Sequence, residues 1–199
     1  MSDVGKALKI IPRKIKKALK TPNKDYAIYW DAEDPLQCYF WFHLREGPYS
    51  GSNHILHINF KGSRGYFPFF PPSAKFITPP FHTNVYQGGS ICVNIFSDDS
   101  KWSPENGIEC IANNMILLFN DQNVNSPANG EAGRLFAKCN ADWKTYQKEH
   151  MKANKVPPKP SEQDKFFEPF KKQVISKSKS YKLAPYFKMF PGLEEAVKK

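Results

Sequence analysis

Three runs of aromatic and branched residues, Tyr26–Trp30, Gln37–Leu44 and His54–Phe60, follow one another with turn-sized gaps, and this constrains the fold more than any other feature. Such runs read as β-strands. The segment Glu46–Asn53 is marked as a turn by its glycines and proline. No helix fits between the runs, so the spacing predicts an antiparallel meander rather than a parallel sheet with crossover helices. Ala74–Ile77 makes a fourth, shorter run, and Pro68, Pro71, Pro72, Pro79 and Pro80 forbid regular structure on either side of it.

Helical patterns lie at both ends. Apolar residues at 8, 11, 15, 18 and 19 have helical spacing with lysines opposite, and Pro12 either opens the regular helix or kinks it. This helix either packs on the same domain with a solvated lysine face or lies on a membrane surface. After an irregular stretch over 81–104, Ile108–Phe119 reads as a helix. Asn120–Ser126 is a polar turn, and Asn129 or Ser126 caps a second helix running to about Ala153, with Leu135, Phe136, Cys139, Trp143 and Tyr146 on one face. The expected class is therefore α+β: an N-terminal helix, a four-stranded antiparallel meander, an irregular loop, then helices.

The expected organisation is a core over 1–153, a stiff proline-rich linker over 154–164 and a basic, aromatic extension over 165–199. The extension holds seven aromatic residues among many lysines. It either grips an acidic partner or RNA, by stacking bases, or folds Phe166, Phe167, Phe170, Tyr186, Phe187 and Phe190 back onto the domain as extra helices.

Charge is divided in the same way. The net +10 splits into +7 over 1–24, −5 over 25–143 and +8 over 144–199. The acidic centre speaks against a general nucleic-acid binder, and the basic ends favour docking of acidic partners. No apolar run is long enough to span a membrane and no secretory signal stands at the N-terminus, so a cytoplasmic or nuclear location is expected. Cys38, Cys92, Cys110 and Cys139 have neither zinc-ligand spacing nor the pattern of a disulfide framework, and no metal site is expected.

Taken alone, Ile91-Cys92-Val93 reads as a small buried hydrophobe. No lysine or arginine lies within five residues to activate the thiol, and spacing alone does not choose a partner among His43, His54, His57, His82 and His150. The order of residues around it says more. Tyr66-Phe-Pro-Phe-Phe-Pro-Pro72, Phe76, His82-Thr-Asn84, Gly89-Ser-Ile-Cys92, Trp102-Ser-Pro104 and Ser126-Pro-Ala-Asn129 follow collinearly. Over residues 7–153 this set closely resembles the ubiquitin-conjugating enzyme family.

The resemblance implies that Cys92 accepts the C-terminal glycine of ubiquitin from the activating enzyme as a thioester, which a substrate lysine then attacks, with or without a ligase. Asn84 matches the family's asparagine that supports the oxyanion or the loop beside it; a turn-stabilising role is the ordinary alternative. His82, Tyr86, Asn94 and Ser126 would support the active-site loop. Lys9, Arg13 and Lys16 would dock the activating enzyme, and Phe69, Phe70, Ser103, Pro104 and Glu105 fall in the two loops that meet ligases. A thioester is already activated toward amines, so no strong base and no cofactor are implied.

The chain also departs from the family pattern. Thr83 stands where the family's His-Pro-Asn has proline, Phe70 and Glu105 change the size and polarity of the ligase loops, and the stretch from Cys92 to Trp102 is longer by two than in many ubiquitin-type members. That length occurs in the SUMO-conjugating relative, and Asn94 is shared with the NEDD8-conjugating one. A SUMO- or NEDD8-type enzyme is therefore the alternative within this chemistry. A non-catalytic adaptor of the same fold is the alternative outside it, although inactive relatives typically lack the cysteine.

Overall fold

In a computed structural model, residues 2–21, 23–77, 79–92, 101–139, 142, 144–146, 148, 149, 168, 170–172, 175, 187 and 193–198 are described. Helix α1 (Asp3–Ala18) leads into strands β1 (Tyr26–Trp30), β2 (Gln37–His43), β3 (Asn53–Asn59) and β4 (Ser73–Phe76). Helices α2 (Ile108–Asn120), α3 (Gly130–Lys138) and α4 (Leu193–Val197) follow. The strands form one antiparallel sheet in the order β1-β2-β3-β4, the expected meander. No helix among the described residues is long and apolar enough to cross a membrane.

Alternation along the strands sorts side chains onto two faces. Tyr26 and Ile28 of β1, Cys38, Phe40 and Phe42 of β2, and Leu56 and Ile58 of β3 point into the main core with Ile11 and Ile15 of α1 and Ile111, Met115 and Phe119 of α2. The other face carries Ala27, Trp41 and Ile55, which pack with Phe170 and Leu193 of the C-terminal segment. Phe170 is fully buried, with its ring centroid 5.6 Å from Trp41 and 5.8 Å from Tyr29. At this residue the aromatic tail folds back onto the sheet, and its ring is not available to stack a base. Phe166, Phe167, Tyr186 and Phe190, and the linker 154–164, lie outside the described residues.

Phe170→Ala is expected to lower the unfolding free energy by about 2–4 kcal/mol, because it removes a buried aromatic side chain and its edge-on contact with Trp41. Urea denaturation followed by tryptophan fluorescence measures this. A change below about 0.5 kcal/mol, typical of a surface substitution, would show that the docked segment adds nothing to the fold.

The helices refine the sequence expectation in local detail. Helix α1 begins at Asp3, before the apolar pattern, because the Ser2 side chain caps it by accepting the Gly5 N–H at 3.3 Å. The helix runs through Pro12, and Ala7 rather than Leu8 faces the core. The single helix expected to reach Ala153 is interrupted. Helix α3 closes at Cys139, and Asp142 starts a new turn by accepting the Lys144 N–H at 3.1 Å. An aspartate side chain competes for the backbone donors that a continuing helix would use. Asn129 rather than Ser126 caps α3, its Oδ1 accepting the Ala132 N–H at 3.2 Å. Trp143 lies outside the described residues.

Candidate active site

The irregular stretch after β4 is held in place by its backbone. The Phe76 N–H donates to Gly89 O at 2.8 Å, and bridges join Lys75 to Ser90 and Val85 to Ile91. The turn between them closes through Tyr86 N–H to Ser90 O at 2.9 Å and Gly89 N–H to Tyr86 O at 2.8 Å. Gly89 has φ +89°, and a Cβ there would collide with the Phe76 carbonyl oxygen, so both conformation and space require glycine. The turn delivers Cys92 to the surface, where its thiol is exposed, while its N–H donates to Asn84 O at 2.8 Å. The other three cysteines are buried or half-buried; burial raises the thiol pKa of Cys38 and Cys110. Local sequence alone favoured a buried Cys92. The turn overrides it.

Beside Cys92, the loop His82-Thr83-Asn84 is buried. His82 Nε2 donates to Leu118 O at 2.8 Å, and its Nδ1 accepts the Asn84 N–H at 2.9 Å. These two bonds define one neutral tautomer and leave neither nitrogen to serve Cys92 as a base. Asn84 Oδ1 accepts the Asn123 N–H at 3.0 Å and the Thr83 hydroxyl at 2.9 Å. With its oxygen held by two donors, the Asn84 side chain has only its NH₂ left to offer, and this donates to none of the described residues.

Burial lowers the His82 pKa from 6.5 to about 4, the bond to Leu118 O opposing this in part. The unfolded chain takes up the proton near 6.5 and the folded chain only near 4, so stability is lost as pH falls through that window. The loss expected by pH 4.5 is on the order of 2–3 kcal/mol. Urea midpoints at pH 7.5 and 4.5 measure it, and His82→Gln should flatten the dependence. An equally steep profile in the variant would assign the acid sensitivity elsewhere.

The remaining expected residues that are described are all exposed. Tyr86 is exposed on the turn before Cys92. Ser126 is exposed ahead of α3, and Asn94 lies outside the described residues. Lys9, Arg13 and Lys16 are exposed on α1, spaced to form one stripe. Phe69 and Phe70 are exposed in the loop after β3, and Ser103, Pro104 and Glu105 in the loop before α2. Two contacts join those loops. Trp102 Nε1 donates to Pro68 O at 2.7 Å, and the Trp102 ring meets Phe67 edge-on at 5.8 Å.

Sequence reasoning missed Lys14. Its ammonium reaches from α1 to three backbone carbonyls, Pro104 O at 3.1 Å, Glu105 O at 3.4 Å and Asn106 O at 3.0 Å, and lies 5.8 Å from the centre of the Phe67 ring. Lysine can satisfy several acceptors at once because it carries three donors and no acceptor. It therefore ties α1 to both loops. Gln122, Asn123 and Tyr49 were missed too. Gln122 Nε2 donates to the Tyr49 hydroxyl at 2.9 Å, which donates to Phe81 O at 2.9 Å. The sequence showed only a polar turn at 120–126, with no signal pairing it with Thr83 and Asn84, 39 positions earlier, or with Tyr49, 73 positions earlier.

A helix packed on a four-stranded meander carries one exposed cysteine beside a loop with a buried histidine and asparagine. The sequence matches the ubiquitin-conjugating enzyme family over residues 11–151, and the chain belongs to that family. A ubiquitin-conjugating enzyme E2 2 of Debaryomyces hansenii is 43% identical over 70 residues, 35% of this chain and 40% of that protein. A ubiquitin-conjugating enzyme E2 1 of Caenorhabditis elegans is 31% identical over 122 residues, 61% of this chain and 57% of that protein. A ubiquitin-conjugating enzyme E2 3 of Arabidopsis thaliana is also 31% identical over 122 residues, which is 73% of its length. The matches to the first two relatives thus span less than two thirds of those proteins.

Proposed function

We propose that this chain is an active ubiquitin-conjugating enzyme that carries ubiquitin as a thioester on Cys92 and passes it to a lysine. The observation that carries this reading is the pairing of an exposed thiol with a buried asparagine. Cys92 is bonded through its backbone to Asn84, whose side-chain oxygen is held and whose NH₂ donates to none of the described residues, which suits it to an oxyanion. In the transfer step, the lysine nitrogen attacks the thioester carbonyl and negative charge develops on its oxygen. The C–S bond then breaks as the amide forms. The electron pair returns to the Cys92 sulfur, and the proton lost by the amine passes to solvent. An amide donor aimed at that oxygen stabilises the charge as it develops. Neither His82 nitrogen is free to take the proton, which fits a thioester that needs no strong base.

Lys9, Arg13 and Lys16 are proposed to dock the ubiquitin-activating enzyme, and Phe69, Phe70, Ser103, Pro104 and Glu105 a ligase. Their exposure on two surfaces linked by Lys14 supports that division. The proposed organisation is a catalytic core over 1–153, a linker over 154–164 and an extension over 165–199. Ubiquitin is preferred as the modifier because the relatives at 31–43% identity carry that name.

The test is to incubate the protein with ATP and each activating enzyme paired with its own modifier. An adduct with ubiquitin that thiol reductant removes and Cys92→Ala abolishes is the expected result. No adduct with any modifier would sink the enzymatic reading and leave an adaptor. Reaction with SUMO or NEDD8 alone would overturn the choice of modifier.

A further inference from the structure

We propose that Thr83 is a positioning residue for transfer from Cys92, acting through the Asn84 amide in place of a rigid backbone. The inference rests on the conjugating activity proposed above. It starts from the hydrogen bonds of one fully buried side chain.

Every polar atom of Thr83 is engaged. Its N–H donates to Gln122 Oε1 at 3.2 Å, and its carbonyl oxygen accepts the Asn129 N–H at 3.0 Å. Its hydroxyl lies 2.7 Å from Gln122 Oε1 and 2.9 Å from Asn84 Oδ1. A hydroxyl has one proton, so Thr83 shares that proton between two amide oxygens. Neither amide can be turned over without loss. A reversed Asn84 would set its NH₂ against the Asn123 N–H, and a reversed Gln122 would set its NH₂ against the Thr83 N–H. The Gln122 orientation is fixed from its other end as well, by donation to the Tyr49 hydroxyl.

The consequence for Asn84 is directional. Two donors from opposite parts of the chain, Thr83 beside it and Asn123 after α2, fix its oxygen and so fix where its NH₂ points. Cys92 is fixed to the same residue through Asn84 O. The thiol and the amide donor are thus registered to one another through a single residue, and Thr83 is one of the two supports of its side chain. Asn129, the cap of α3, bonds the Thr83 carbonyl, so the mouth of that helix is tied to the same point. A preorganised donor loses its effect when its direction is no longer held.

The test uses the full chain and separates two steps, loading of Cys92 and discharge to free lysine. Thr83→Val removes the hydroxyl at nearly constant shape. Discharge from the loaded enzyme is expected to slow about tenfold, the cost of one misdirected hydrogen bond, and Thr83→Ser is expected to restore it to within about twofold. Because the effect runs through Asn84, adding Thr83→Val to an Asn84→Ala enzyme should slow discharge by less than about twofold. If Thr83→Val does not fold, Thr83→Ala removes the same hydroxyl without adding a methyl group and carries the test. Unchanged discharge in these variants, failure of Thr83→Ser to restore it, or a full tenfold loss on top of Asn84→Ala would each overturn the proposal. Failure of the unaltered chain to load at all would instead overturn the conjugating activity itself.

Discussion

Asn84→Ala is expected to slow transfer from loaded Cys92 to lysine by about 10²–10³, the loss found when one oxyanion donor is removed. Asn84 is 5% exposed, and its side-chain oxygen accepts from both Asn123 and Thr83, so the substitution also frees the Asn123 N–H. Asn123 is itself exposed and its N–H can turn to water, so the accompanying loss of stability is expected to be about 1 kcal/mol, that of an ordinary hydrogen bond. The two effects are separable. Single-turnover discharge at saturating lysine reads the first, and urea denaturation of the unloaded protein reads the second. A variant destabilised as expected but discharging within about threefold of the parent would leave Asn84 as a turn brace only.

The second large effect is on folding. Phe119→Ala is expected to destabilise the protein by about 3–5 kcal/mol, a large share of the 5–15 kcal/mol typical of a folded domain. Phe119 lies in α2 with its ring 6.0 Å from Phe42, 5.3 Å from Tyr49, 5.4 Å from His54 and 5.7 Å from Phe76, so three strands or their connections converge on it. Its neighbour Leu118 gives the carbonyl that holds His82, so the cavity would also loosen the active-site loop. Leu117→Ala on the same helix is the control. That side chain is 65% exposed, and its loss should stay within about 0.5 kcal/mol. Equal effects at 117 and 119 would deny the aromatic cluster its special place.

The meander was legible because strand alternation and short gaps leave few other pairings. The registers, such as Phe40 opposite both Ile28 and Leu56, follow from burying one face of β2. Helix α1 was legible by its period, though not its start, because a capping Ser2 acts before any apolar residue appears. The split after α3 was missed because Asp142 fits a helical surface position as well as a cap. The outer sheet face was left open between two readings of the aromatic tail, and two of its rings decided for packing there, Phe170 buried against Trp41 and Phe187 half-buried beside the same cluster.

At the site, the sequence alone placed His82, Asn84 and Cys92 in a recognisable order, and with them the family. Order is a property of the chain, and local turn chemistry needs only neighbours. It did not reveal that Cys92 is exposed, that both His82 nitrogens are spent, or that Thr83 binds Gln122 and Asn84 at once. Nor did it reveal that Lys14 holds the loop before α2. Those facts join residues up to 92 positions apart. Hydrogen-bond direction and burial between such residues arise only when the sheet and helices close on one another, so tertiary structure alone decided them.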